Sequence, residues 1–303
     1  MKFNKKALAA LVLSCMAAGA VHAATVKESG NSEYRPTGKG WGELANSVGT
    51  TGKAKPGGNG ISYHGGPLMI GTKNVYYIWY GNWSGNTATT ILTDLMNNLG
   101  GSPYFNINTT YTDGTGAHVV NAISYLGSTT DNYSQGTALT DAQIQQVVSS
   151  AITSGSVPKD TNALYMVLTS ADVNATSGFC TQYCGWHTHA TISGSDIKYA
   201  FIGNPDRCPS SCAAQTTSPN GNAGADGMAS IISHELEEAT TDPDLNAWYD
   251  TRGQENADKC AWTFGTESTA SNGSKYNVTL GARNYLIQQN WVNANGGLCA
   301  MKY

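Results

Sequence analysis

Three nearly unbroken apolar runs mark the interior of this chain: Val75-Tyr-Tyr-Ile-Trp-Tyr80, Ala163-Leu-Tyr-Met-Val-Leu-Thr169 and Lys198-Tyr-Ala-Phe-Ile-Gly203. Short runs rich in β-branched and aromatic residues predict central strands of a sheet covered on both faces. Helical spacing separates the first from the second. Ile91, Leu92, Leu95 and Met96 recur three and four apart within Thr87 to Leu99, and Ile144, Val147, Val148 and Ile152 do so behind a Thr140 cap, with Gly155 as the stop. A third helix carries Met228, Ile231, Ile232 and Ala239 on its buried side, with Asp226 as its cap. Pro243 forbids its continuation, so it ends near Thr240. Phe105 to Thr112 and Ala117 to Tyr125 read as extended, as do Lys275 to Leu280 and Asn284 to Gln289. The alternation predicts one α/β domain over residues 61–303, with a mixed sheet and a loop-rich, disulfide-tied C-terminal part.

The ends of the chain add a compartment to this picture. Lys2, Lys5 and Lys6, the apolar run Ala7 to Ala20 and the small-residue site Val21-His22-Ala23 read as a signal peptide over residues 1–23. Cys15 has a faint lipoprotein-acceptor context. No later segment approaches the length of a membrane span, so the expected product is secreted, extracellular or periplasmic, with no membrane contact after cleavage. Cleavage removes three Lys and no acid and takes the formal net charge from −4 to −7, which argues against nucleic acid as a partner. Residues 24–60, rich in Gly, Lys, Ser and Thr without apolar period, read as a flexible arm.

Six Cys remain in the exported chain: Cys180, Cys184, Cys208, Cys212, Cys260 and Cys299. An even count in an oxidising compartment predicts three disulfides. The close spacings favour local staples Cys180 to Cys184 and Cys208 to Cys212, with Cys260 to Cys299 tying down the C-terminal segment. A four-cysteine zinc site is the rival, disfavoured by CxxxC spacing.

Candidate chemistry concentrates in Ser233-His-Glu-Leu-Glu-Glu-Ala-Thr-Thr-Asp-Pro243. Positions i and i+4 share a helix face, so His234 and Glu238 can converge on one cation, with Glu235 alongside to activate a metal-bound water. An acidic surface helix is the plain alternative. A third ligand usually follows from a later segment; Glu255, near Cys260, ranks first, then Asp258, then Asp242 and Asp244. On a strand through Gly185-Trp-His-Thr-His189, His187 and His189 face the same side and are candidates to polarise a carbonyl or bind metal. His64 reads as a turn-holding residue, and His118 carries no signal. Zinc suits the His/Glu/Glu set, while Asp242, Asp244, Asp250 and Glu255 could instead form a structural calcium site.

Several segments together resemble the EXORDIUM, or phosphate-induced protein 1, family: Tyr63-His-Gly-Gly-Pro-Leu68, Ile78-Trp-Tyr-Gly81, Gly178-Phe-Cys180 through Cys184-Gly185, Cys208 to Cys212, and Pro219 to Gly227. The resemblance spans roughly residues 61–300 and implies a secreted, extracytoplasmic protein, associated in plants with cell walls and growth. Plant members lack the His-Glu pair, so this chain resembles a microbial branch in which His-Glu-x-x-Glu looks like a metallopeptidase site. The expectation is a zincin-like α/β core and a zinc-dependent endopeptidase acting on protein or peptide. His234, Glu238 and Glu255 would hold the metal, Glu235 would be the base, and His187 or His189 would assist. The alternative is a non-catalytic extracellular or wall-associated binding protein, with a cell-wall glycan as partner and a structural metal.

Overall fold

The computed structural model describes residues 25–27, 34–39 and 60–303. The expected signal peptide and most of the expected arm lie outside the described residues. Five strands form the central sheet: β1 Lys73–Tyr80, β2 Ile123–Asp131, β3 Ala163–Thr169, β4 Gly185–Ile192 and β5 Ser195–Ile202. Their order is β2-β1-β3-β5-β4, with all neighbours parallel except β4, which runs antiparallel to β5 at one edge. β3 is buried along its whole length and β1 along all but Asn74, as expected of strands covered on both faces.

Helix α1, Ala88–Leu99, buries Ile91, Leu92, Leu95 and Met96, and helix α2, Asp141–Thr153, buries Ile144, Val147, Val148 and Ile152. At Thr140 the side-chain oxygen accepts from the Gln143 amide while Gln143 reaches back to the Thr140 amide, a reciprocal capping box. Helix α3, Ala223–Thr241, packs against α1, β4 and β5. Its cap is Asn222, whose side chain accepts from the Ala225 amide, rather than Asp226. Asp226 is instead buried one turn in, accepting hydrogen bonds from Ser218 and Asn220.

Phe105–Thr110, expected to be extended, is a 3₁₀ helix. Its alternating Phe105 and Ile107 imitate a strand, but Thr109 and Thr110 hydroxyls donate to the carbonyls of Asn106 and Ile107, and Asn108 donates to that of Phe105. Side chains that bond three residues back hold the backbone wound.

The disulfides are Cys180–Cys208, Cys184–Cys212 and Cys260–Cys299. The first two correct the local pairing. Cys208 and Cys212 stand one turn apart about the short helix Pro209–Cys212 and point the same way, so each meets a partner on the loop before β4. Together they join that loop to the segment leading into α3.

Within the arm, Tyr34–Pro36 pairs antiparallel with Thr25–Lys27, and Tyr34 donates its amide to the Thr251 carbonyl. Pro36 and Gly38 are buried, and the His187 amide on β4 donates to the Gly38 carbonyl at 3.1 Å. Lys39 then pairs with Asp141 and lies over the rings of Tyr183 and Trp186. Residues 34–39 are therefore a docked strap rather than a loose arm. No helix among the described residues is long and apolar enough to cross a membrane.

Candidate metal centre

Of the nineteen residues of α3, all but Ala223 and Gly227 are buried, and Glu235, Glu237 and Glu238 are at most 1% exposed. The motif helix is not an acidic surface helix. A helix buried all round must satisfy its ionisable groups internally, because burying an uncompensated carboxylate is costly. Glu237 does so in part on one side, where Oε2 accepts from Asn290 and Lys73 contributes opposite charge while Oε1 is left without a partner. The other side is a nest facing β4 and the loop through Glu255.

Two triads share Glu238. One is His187, Glu238 and Glu255; the other is His234, Glu238 and Asp258; in each, one donor atom per residue lies within 4.8 Å of the others. Glu238 Oε1 is 3.1 Å from His234 Nε2, and its Oε2 is 3.6 Å from His187 Nδ1. His187 Nδ1 stands 3.5 Å from Glu235 Oε2, and its Nε2 stands 3.5 Å from Glu255 Oε1 and 3.2 Å from the Asp242 carbonyl. Asp258 Oδ1 is 3.8 Å from His234 Nε2. Most of these pairs are not hydrogen-bonded: both nitrogens of His234, His187 Nδ1, Glu235 Oε2, Glu238 Oε2, Asp242 Oδ2, Glu255 Oε1 and Asp258 Oδ1 are buried without a partner. Donors about 2.0–2.1 Å from a tetrahedral zinc are separated by roughly 3.3 Å, so the 3.1 Å between His234 Nε2 and Glu238 Oε1 suits a ligand edge around a cation. At His187, by contrast, the contacts to Glu238 and Glu255 are made by opposite ring nitrogens, only one of which can bind a given ion.

The supporting loop is held by hydrogen bonds and a disulfide. Glu255 donates its amide to Asp258 Oδ2, Asp258 donates its own to Glu238 Oε1 at 3.0 Å, and Cys260 is bridged to Cys299. Asp242 Oδ1 accepts from the amides of Asn246 and Ala247. On β4, Gly185 lets the strand approach α3, since a Cβ there would lie 2.5 Å from Ile231 Cγ2.

The electrostatics reflect crowding. Burial raises the Glu235 and Asp242 carboxyls to about 7 against the opposing pull of His187, and burial with the nearby Glu238 charge raises Asp258 to about 7. Burial pushes Glu255 well up. Burial would lower both imidazoles, but the carboxylates, chiefly Glu255 for His187 and Glu238 for His234, hold them well above their ordinary value. Glu238 is driven by burial upward but by both imidazoles more strongly downward, to about 2. Without metal, protons neutralise this nest, and a cation would displace them.

The predicted residues thus divide. His234, Glu235, Glu238, His187, Glu255 and Asp258 come together, with Glu255 beside His187 and Asp258 beside His234. His189 lies outside: α3 ends before it, and it meets Asp196 and Asp244, which also pair with Lys198. The four acids considered for calcium are not gathered at one point; Asp244 faces Lys198 at 3.1 Å and Asp250 faces Lys259 at 3.1 Å. His64 stacks on Tyr249 with ring centroids 3.7 Å apart, and His118 Nδ1 lies 2.7 Å from the Thr109 carbonyl. The exposed large aromatic side chains among the described residues are Tyr34 and Tyr303.

The phosphate-induced protein 1 conserved region matches residues 61–300. EXORDIUM-like 3 of Arabidopsis thaliana is 35% identical over 271 residues, covering 76% of this chain and 80% of its own. EXORDIUM-like 5 of the same plant is 33% identical over 282 residues, covering 79% and 77%. PHOSPHATE-INDUCED 1 of Nicotiana tabacum is 30% identical over 223 residues, covering 62% and 67%. These names state no reaction. No solved structure matches the chain.

Proposed function

This chain belongs to the phosphate-induced protein 1 family, and on that premise we propose that it is a secreted protein that acts by binding outside the cell, with its domain held together by a buried divalent cation. The observation that carries this reading is the closed nest. His187, His234, Glu238, Glu255 and Asp258 are at most 4% exposed, yet each leaves a polar atom unpartnered. Closed sites with all ligands from protein are the mark of structural metals, whereas catalytic sites keep a position open. Zinc is the first choice, since imidazole with carboxylate suits it, and calcium takes oxygen ligands only.

A zinc endopeptidase with a zincin-like core, in a microbial branch of the family, is the second reading. One observation favours it: Glu235 sits beside the nest with Oε2 unpartnered. There Glu235 would serve as base.

Elemental analysis of the purified chain, with melting measured in EDTA, tests both. At least one ion per chain and a clear loss of stability on chelation are expected. Metal-free protein indifferent to chelator overturns the metal reading. Peptide hydrolysis that disappears in Glu235→Gln while the ion is retained would replace binding by catalysis.

A further inference from the structure

We propose that the nest is a two-cation centre bridged by Glu238, which rests on the metal reading above and goes beyond it in number and arrangement. Glu238 turns one oxygen to each triad: Oε1 towards His234 and Oε2 towards His187. Each half then has its own imidazole and its own second carboxylate, Asp258 with His234 and Glu255 with His187. One imidazole and one terminal carboxylate per ion, joined by a shared carboxylate, is the donor pattern of paired metals, which stand about 3.5–4 Å apart.

The unpartnered atoms decide between one ion and two. They occur in both halves, His234 and Asp258 in one and His187 and Glu255 in the other, so a single ion would leave one imidazole stranded.

The test uses the full chain loaded with Zn²⁺ and, separately, Mn²⁺. Elemental analysis after desalting should give two Zn²⁺ per chain, falling to one in Glu255→Gln and in Asp258→Asn. Electron paramagnetic resonance of the Mn²⁺-loaded wild type should show a spin-coupled pair, a readout that needs no variant to fold. One ion per chain with an uncoupled Mn²⁺ spectrum overturns the bridged pair and leaves the single-metal reading standing. No bound ion overturns both.

Discussion

Gly38→Ala isolates the strap from everything beneath it. Gly38 sits at φ +70°, and a Cβ there would lie 1.8 Å from the His187 carbonyl oxygen, a backbone atom that cannot swing aside. The left-handed conformation costs a non-glycine residue about 1–2 kcal/mol, and relieving the clash forfeits the hydrogen bond from the His187 amide, worth about 1 kcal/mol. The strap should therefore undock more easily by about 2–3 kcal/mol, roughly 30- to 150-fold in its opening equilibrium. The Lys39–Asp141 pair adds little, since Asp141 is 46% exposed. Hydrogen exchange by mass spectrometry reads this directly, because the His187 amide points to Gly38 rather than to β5. A peptide covering residues 185–192 should exchange faster by up to that factor, while one covering residues 163–169 is unchanged. Equal protection of residues 185–192 in the two proteins would refute the account of the strap as the cover of β4.

Three other outcomes follow from the packing and charges. Gly185→Ala should destabilise the fold by about 1–3 kcal/mol in denaturant melts, since its Cβ would press on Ile231 and Glu235 where β4 meets α3. Saturating metal at 100 times its Kd should contribute about 2.7 kcal/mol of stability that EDTA removes, read as a fall in Tm on chelation. Lys73 is fully buried and its amine is lowered to about 8 by burial, with Glu237 opposing. Between pH 8 and 10 the unfolded chain binds more protons at this group, so stability should rise by up to about 1.4 kcal/mol per pH unit relative to Lys73→Met. Parallel stability curves for the two proteins over that range would contradict the burial of a charged amine.

The elements whose signal is local were legible from sequence: the apolar runs of β1 and β3, the Thr140 capping box and the stop before Pro243. Phe105–Thr110 was not, because side-chain bonds to the backbone override an alternating apolar pattern. The convergence of His234 with Glu238 follows from helix geometry. Which of Glu255 and Asp258 meets which imidazole depends on a turn three residues long, where each side chain faces a different half of the nest. His187 was marked by its alternation with His189, yet that pattern does not say that α3 covers one and stops short of the other. The crosswise cysteines failed for a related reason: sequence spacing favours neighbours, whereas side chains one helical turn apart run parallel and seek a common partner segment.

Those crosswise bridges bear on the order in which the molecule is assembled. His187 and His234 are 47 residues apart in sequence, but the Cys184–Cys212 bond shortens the covalent path between them to about 25 residues. By loop-closure entropy that raises their mutual concentration in the unfolded chain only about two- to threefold, or about 0.6 kcal/mol. The two imidazoles therefore come together at nearly the same entropic cost whether the thiols are already joined or still free.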